Sequence, residues 1–138
     1  MKTKTLPLRS GRSLTFTILG TGTAPLGNLY GKVDEATADA TLDAAFATGS
    51  RYFDTAPLYG FGTSERRLGA FWRRRPEDVL LSTKVGRLLK LGERGADAQP
   101  TQWFGVPARD VVFDYSYDGI LRSYEDSIQR LGITRLDA

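Results

Sequence analysis

The chain has 138 residues, 41% hydrophobic and 25% charged, the balance of an ordinary globular domain. Its net charge of +3 and pI near 9.3 are too mild to argue for a nucleic-acid or membrane partner. Cysteine and histidine are both absent, which removes disulfides, thiolate metal sites, the commonest general base and the commonest zinc ligand, so no metal is expected.

No apolar run approaches the length of a membrane span, and residues 1 to 15 carry no signal-peptide core. A cytoplasmic location is therefore expected. Leu6, Leu8, Leu14, Phe16 and Ile18 alternate with polar residues about Ser10-Gly11, which predicts a hairpin over residues 5 to 18. Leu19 to Thr23 reads as a strand in which Gly20 and Gly22 let a ligand approach the backbone. Asp34 is a fitting N-cap for a helix over Glu35 to Thr48, with Gly49 just past its end and Leu42, Ala45 and Phe46 on one face. A second strand is expected over Arg51 to Asp54. Ser64 is expected to cap a second helix that runs to about Arg74, with Leu68 and Phe71 inward, Glu65 at its positive end and Pro76 stopping it.

The run Arg73-Arg74-Arg75 falls at that helix's end, where cations complement the dipole; a phosphate contact is the less favoured reading. Val79 to Val85 reads as a third strand. Residues 86 to about 117 read as one long irregular stretch, expected to be the most mobile part because nothing in it suggests regular pairing. It is rich in aromatics (Trp103, Phe104, Phe113, Tyr115, Tyr117), which serve equally well as a lid over a substrate or as packing for the loop. Ile120, Tyr124, Ile128 and Leu131 mark a third helix ending at Gly132. Strand and helix alternate throughout, the pattern of βαβ units on a parallel sheet, an α/β fold.

Two familiar motifs fail. Gly20-Thr21-Gly22 has Pro25 where a dinucleotide fingerprint needs its third glycine. Gly62-Thr63-Ser64-Glu65-Arg66 ends in arginine where a nucleophile elbow needs glycine. The chemistry lies elsewhere. Asp54 ends one predicted strand, Tyr59 follows in the loop, and Lys84 closes the run Leu80-Leu81-Ser82-Thr83-Lys84. Any one of the three alone is most simply a turn, packing or solvated residue. Together they suit acid-base chemistry on a carbonyl or alcohol, since an ammonium favours a nearby phenolate and a carboxylate keeps that ammonium charged and aimed.

The pattern Asp54-Thr55-Ala56-Pro57-Leu58-Tyr59-Gly60-Phe61-Gly62-Thr63-Ser64-Glu65, followed by Ser82-Thr83-Lys84, resembles the aldo-keto reductases. The resemblance covers essentially the whole chain, from Leu19-Gly20-Thr21-Gly22-Thr23-Ala24 to Ser127-Ile128-Gln129-Arg130-Leu131-Gly132. Within the family, Thr23-Ala24-Pro25-Leu26-Gly27-Asn28 and Phe113-Asp114-Tyr115-Ser116-Tyr117-Asp118-Gly119 look like the aldose and pyridoxal dehydrogenase branch.

The resemblance implies a (β/α)8 TIM barrel, of which these residues would supply an N-terminal hairpin and the first three to four β/α units. It implies an oxidoreductase using NAD or NADP on a small carbonyl or hemiacetal. Tyr59 would be the acid-base residue, Lys84 would favour its phenolate and Asp54 would hold Lys84. Gly22, Thr23 and Ala24 would line the nicotinamide end of the cofactor, with Asp54 near its ribose. Tyr59 and Trp103 would touch substrate. The family's catalytic histidine would fall beyond Ala138. Such a barrel needs about 250 residues, and Leu136-Asp137-Ala138 reads as the opening of a strand. The expectation is one incomplete domain over residues 1 to 138, the N-terminal part of a longer protein. An inactive fragment and a non-catalytic regulatory barrel are the alternatives.

Overall fold

A computed structural model describes residues 1–75, 79–92 and 102–138. Two strands, β1 (Thr3–Pro7) and β2 (Ser13–Thr17), form an antiparallel hairpin with Lys4 opposite Phe16. The expected alternation buries Leu14, but leaves Leu6 and Ile18 exposed. Three short strands then form a parallel sheet in chain order: β3 (Thr21–Gly22), β4 (Tyr52–Asp54) and β5 (Leu80–Ser82). Each is shorter than the apolar run that predicts it. Asp137 and Ala138 donate backbone bonds to the Leu81 carbonyl, and Ala138 accepts one from Thr83, so residues 137–138 run beside β5.

Helix α1 (Glu35–Ala47) follows β3, and the Asp34 side chain caps it by accepting from the Thr37 N–H at 2.7 Å. Helix α2 (Thr63–Trp72) follows β4, and α3 (Tyr117–Leu131) ends in a left-handed Gly132. The pleat sorts the side chains of β4. Phe53 points to the helix layer and meets Phe71 of α2 with ring centroids 5.2 Å apart. Tyr52 and Asp54 point to the opposite face. Leu42, Phe53, Leu68, Phe71, Leu81 and Leu131 form a core between sheet and helices. Each such side chain contributes about 1.5–3 kcal/mol by leaving water.

Four expectations need correction. Residues 86 to 117 are not one irregular stretch: β6 (Arg87–Leu91) and β7 (Arg109–Phe113) pair antiparallel over five residues, Arg87 opposite Phe113. The ladder removes the ground for expecting the whole segment to be mobile. Of the connection between the two strands, residues 93–101 lie outside the described residues.

Second, α2 begins after a left-handed Gly62 and has no side-chain cap; the Thr63 and Ser64 N–H groups donate instead to the Gly60 and Tyr59 carbonyls. Third, the buried face of α3 is Gly119, Ser123, Ser127 and Leu131, while Ile120 and Tyr124 stay more than a third exposed. Small residues let α3 sit close to β6, where Ser123 donates to the Arg87 carbonyl. Fourth, the three arginines follow α2 and serve other helices. Arg73 donates to the Leu131 carbonyl at the end of α3, and Arg74 and Arg75 pair with Asp39 and Asp43 of α1. The helix stop expected at Pro76 lies outside the described residues.

Candidate active site

The carboxyl ends of β3, β4 and β5 bring Gly22, Asp54 and Ser82 into register. Lys84 lies two residues beyond β5 and turns back over β4. Its ammonium donates to Asp54 Oδ2 at 2.6 Å and to the Thr55 carbonyl at 2.8 Å. The same nitrogen stands 5.0 Å from the centre of the Tyr59 ring. Burial opposes the charge on Lys84, but the Asp54 hydrogen bond and charge outweigh it. With Tyr59 acting in the same direction, they hold Lys84 above its ordinary 10.5. The three residues expected to act together do meet.

Tyr59 is placed by main chain rather than by packing of its ring. Gly60 has φ +62, and a Cβ there would stand 2.3 Å from the Gly27 carbonyl oxygen. A Cβ on Gly27 would stand 2.5 Å from the Tyr59 carbonyl carbon. Two glycines therefore let the loop after β4 lie directly on the single 3-10 turn Pro25–Gly27 that follows β3.

Trp103 comes to the same place, its ring centroid 5.9 Å from that of Tyr59. The tie is Asn28. Its amide donates to the Phe104 carbonyl at 2.8 Å, its carbonyl accepts from the Phe104 N–H, and Leu29 bridges Trp103. Asn28 is itself held by Arg67, a buried guanidinium that also reaches the Leu26 and Val33 carbonyls and Glu35.

The proposed cofactor-lining residues divide. A Cβ on Gly22 would meet nothing within 4 Å, so this strand end is open to a flat ligand. Ala24 is half-buried. Thr23 is fully buried; its N–H and hydroxyl donate to the Asp54 carbonyl, and its carbonyl accepts from Ser64. Thr55 in turn donates to Ser64. This buried hydroxyl cluster binds β3, β4 and α2 together behind the site. Gly20 serves a protein ring rather than a ligand, since a Cβ there would fall 2.6 Å from the ring of Tyr52.

Sequence reasoning missed further participants. Ser82 donates to Asp54 Oδ1 at 2.6 Å, and Tyr52 lies 2.9 Å from Ser82. Tyr52 stands two residues before Asp54, hence on the same face of β4, and that spacing was the available signal; Ser82 is the cross-strand partner of Asp54, which the sequence does not mark. Glu65 does more than sit at the positive end of α2. Fully buried, it accepts from Arg130 of α3 at 2.5 Å and from Thr83, next to Lys84, at 2.9 Å. Beside Lys84 lies a cavity of about 160 Å³ bounded by Leu58, Arg87 and Tyr115. Among the described residues, no group of three or more His, Cys, Asp or Glu is placed to hold a metal ion, and no helix is long and apolar enough to cross a membrane.

A hairpin followed by three β/α units, with a carboxylate, an ammonium and a phenol gathered at the strand ends, is the arrangement of part of a parallel α/β barrel. The model of the aldo/keto reductase family matches residues 18–138, and the chain belongs to that family. It is 49% identical to pyridoxal 4-dehydrogenase of Microbacterium luteolum over 90% of this chain and 39% of that protein. It is 40% identical to D-threo-aldose 1-dehydrogenase of a Pseudomonas species over 96% of this chain and 42% of that one. The holo form of an aldo-keto reductase from Bacillus halodurans superimposes with a TM-score of 0.72 at 28% identity, covering 99% of this chain and 38% of its own. The chain thus spans about two-fifths of the length of these relatives.

Proposed function

We propose that these residues carry the proton transfer of an NAD(P)-dependent dehydrogenase that oxidises a cyclic hemiacetal, an aldose or pyridoxal, to a lactone. The observation that carries the reading is the Lys84 ammonium, 2.6 Å from Asp54 Oδ2 and 5.0 Å from the Tyr59 ring, at the carboxyl ends of parallel strands. In oxidation Tyr59, as phenolate, takes the proton of the ring hydroxyl; in reduction it returns it. Lys84 supplies the positive charge that favours the phenolate, and Asp54 keeps that ammonium charged and aimed. Trp103, beside Tyr59, provides an apolar wall for the ring of the substrate.

The residues present fit the nicotinamide end of the cofactor. Gly22 is open, Ala24 adjoins it, and Asp54 is in register with Gly22. When bound, the nicotinamide supplies hydride chemistry, which no side chain here offers. The substrate class is supported by similarity to an aldose dehydrogenase and a pyridoxal dehydrogenase. A cytoplasmic setting agrees with a composition free of cysteine. A non-catalytic barrel is the second reading; binding alone needs no phenol, ammonium and carboxylate in mutual contact.

The test is Tyr59→Phe in the catalytically competent protein that carries this segment. Turnover should fall by about 10²-fold or more, the usual scale of a general acid-base residue, with cofactor affinity little changed. Near-normal turnover would refute the reading.

A further inference from the structure

Asp54 has two carboxylate oxygens and two side-chain donors. Lys84 occupies Oδ2, and Ser82 donates to Oδ1 at 2.6 Å. A serine hydroxyl has one proton. With that proton on Asp54, the 2.9 Å contact between Tyr52 and Ser82 has one available direction: the phenol donates and the serine accepts.

The chain Tyr52 to Ser82 to Asp54 to Lys84 is therefore ordered end to end. Tyr52 and Asp54 share one face of β4, and Ser82 is the register partner of Asp54 on β5. The ring of Tyr52 is itself clamped. Phe16 of the hairpin meets it edge-on at 5.1 Å, and Gly20 gives it room that any Cβ would take.

We propose that Ser82, with Tyr52 behind it, is a positioning residue that fixes the rotation of the Asp54 carboxylate and through it the place of the Lys84 ammonium beside Tyr59. A carboxylate held by Lys84 alone is free to turn about its last bond, which leaves the Thr55 carbonyl as the one fixed anchor of the ammonium. Two charge-assisted bonds on separate oxygens remove that freedom. The role touches neither substrate nor cofactor, and it rests on the assignment of Tyr59 as the acid-base residue.

Around this group the titratable neighbours are Tyr52 on β4, Tyr59 in the loop after it, Lys84 after β5, and Arg87 and Tyr115 on the β6–β7 side, which line the cavity next to Lys84. Loss of the Ser82 bond acts through Asp54, which holds the Lys84 ammonium.

The experiment compares pH profiles of kcat for Ser82→Ala, Ser82→Thr and Tyr52→Phe in the catalytically competent protein, with Tyr59→Phe and Lys84→Met as references. Ser82→Ala should lower kcat by about tenfold, the effect of about 1.4 kcal/mol, and move the alkaline limb the same way as Lys84→Met. Cofactor KM should hold. Tyr52→Phe keeps the ring against Phe16 and Gly20 and should shift the limb in the same direction by less. Ser82→Thr keeps a hydroxyl and should retain the parent profile.

A merely structural serine would lower melting temperature and leave the limb in place. An unshifted limb in Ser82→Ala, or a Ser82→Thr limb displaced as far as that of Ser82→Ala, overturns the proposal. If Ser82→Ala does not fold, the decision passes to Tyr52→Phe, where an unshifted limb overturns it. An active Tyr59→Phe would instead overturn the dehydrogenase reading on which it stands.

Discussion

Replacing Lys84 by methionine keeps the length of the side chain and removes its charge. The ammonium lies 5.0 Å from the Tyr59 ring centre. Two unit charges at that separation interact by about 3 kcal/mol at an effective dielectric of 20. The Lys84 side chain is 49% exposed, so solvent screening reduces this to roughly half, about 1.5 kcal/mol. That corresponds to about tenfold in rate. The sign follows from the charge: an ammonium favours a nearby phenolate, and its loss favours the neutral phenol. The alkaline limb of the oxidative rate should therefore move upward, and turnover at neutral pH should fall about tenfold. The assay is initial-rate kinetics with saturating cofactor from pH 6 to 11, parent and variant together. A Lys84→Met enzyme with an unmoved limb and retained turnover would refute the role of the ammonium.

Two further expectations concern stability. Arg130→Ala strands the fully buried Glu65 without its cation, which should cost about 3–5 kcal/mol in urea unfolding; a loss below about 1 kcal/mol would show that Glu65 is compensated elsewhere. Helix content should fall in acid. Asp34 is held below its ordinary 3.8 by the Thr37 N–H, and Asp114 by the Ser116 hydroxyl that itself caps α3. Carboxyls lowered in the fold stabilise above pH 3.8 and lose that contribution as pH falls through their folded values, whereas the contribution of the raised Lys84 is complete below 10.5 and is lost as pH rises through its higher folded value. Circular dichroism on Asp34→Ala should show a smaller acid-induced loss than the parent, and an identical loss would sink the capping account.

What the sequence disclosed follows the range of the forces involved. Helix α1 was legible because its cap and stop, Asp34 and Gly49, act on their own neighbours. The grouping of Asp54, Tyr59 and Lys84 was legible because strand ends of a parallel sheet converge whatever the loops do. The β6–β7 pairing was not, because its strands are far apart in sequence and the run Arg87-Leu88-Leu89-Lys90-Leu91 does not alternate cleanly. The existence and end of α3 were legible from Ile120, Tyr124, Ile128 and Leu131, but its buried face was not, because close approach to β6 selects the small Gly119 and Ser123, which carry no apolar signal. Ser64 was misassigned because a serine at a helix start is ordinarily a cap, and only the tertiary arrangement brings Thr23 and Thr55 within its reach. The attachment of Trp103 by Asn28 joins residues far apart in sequence and has no local signature.

The bare contact between Gly27 and Gly60 has a consequence for how such a site can diverge. Where side chains separate two loops, drift in their size can be absorbed by repacking. Here the spacer is absent, and the two backbones define each other's height directly. The residue proposed to handle the proton is thus referenced to the first strand-end turn as a dial gauge is to its base, independent of what fills the cavity beside Lys84. Pocket-wall positions such as Leu58, Arg87 and Tyr115 can change to admit a different ring without resetting the phenol. Any side chain at Gly27 or Gly60 would displace it for every substrate at once. An ångström of such misplacement costs about 10²-fold in rate. On the proposed function, specificity and catalytic competence are in this way assigned to separate sets of atoms.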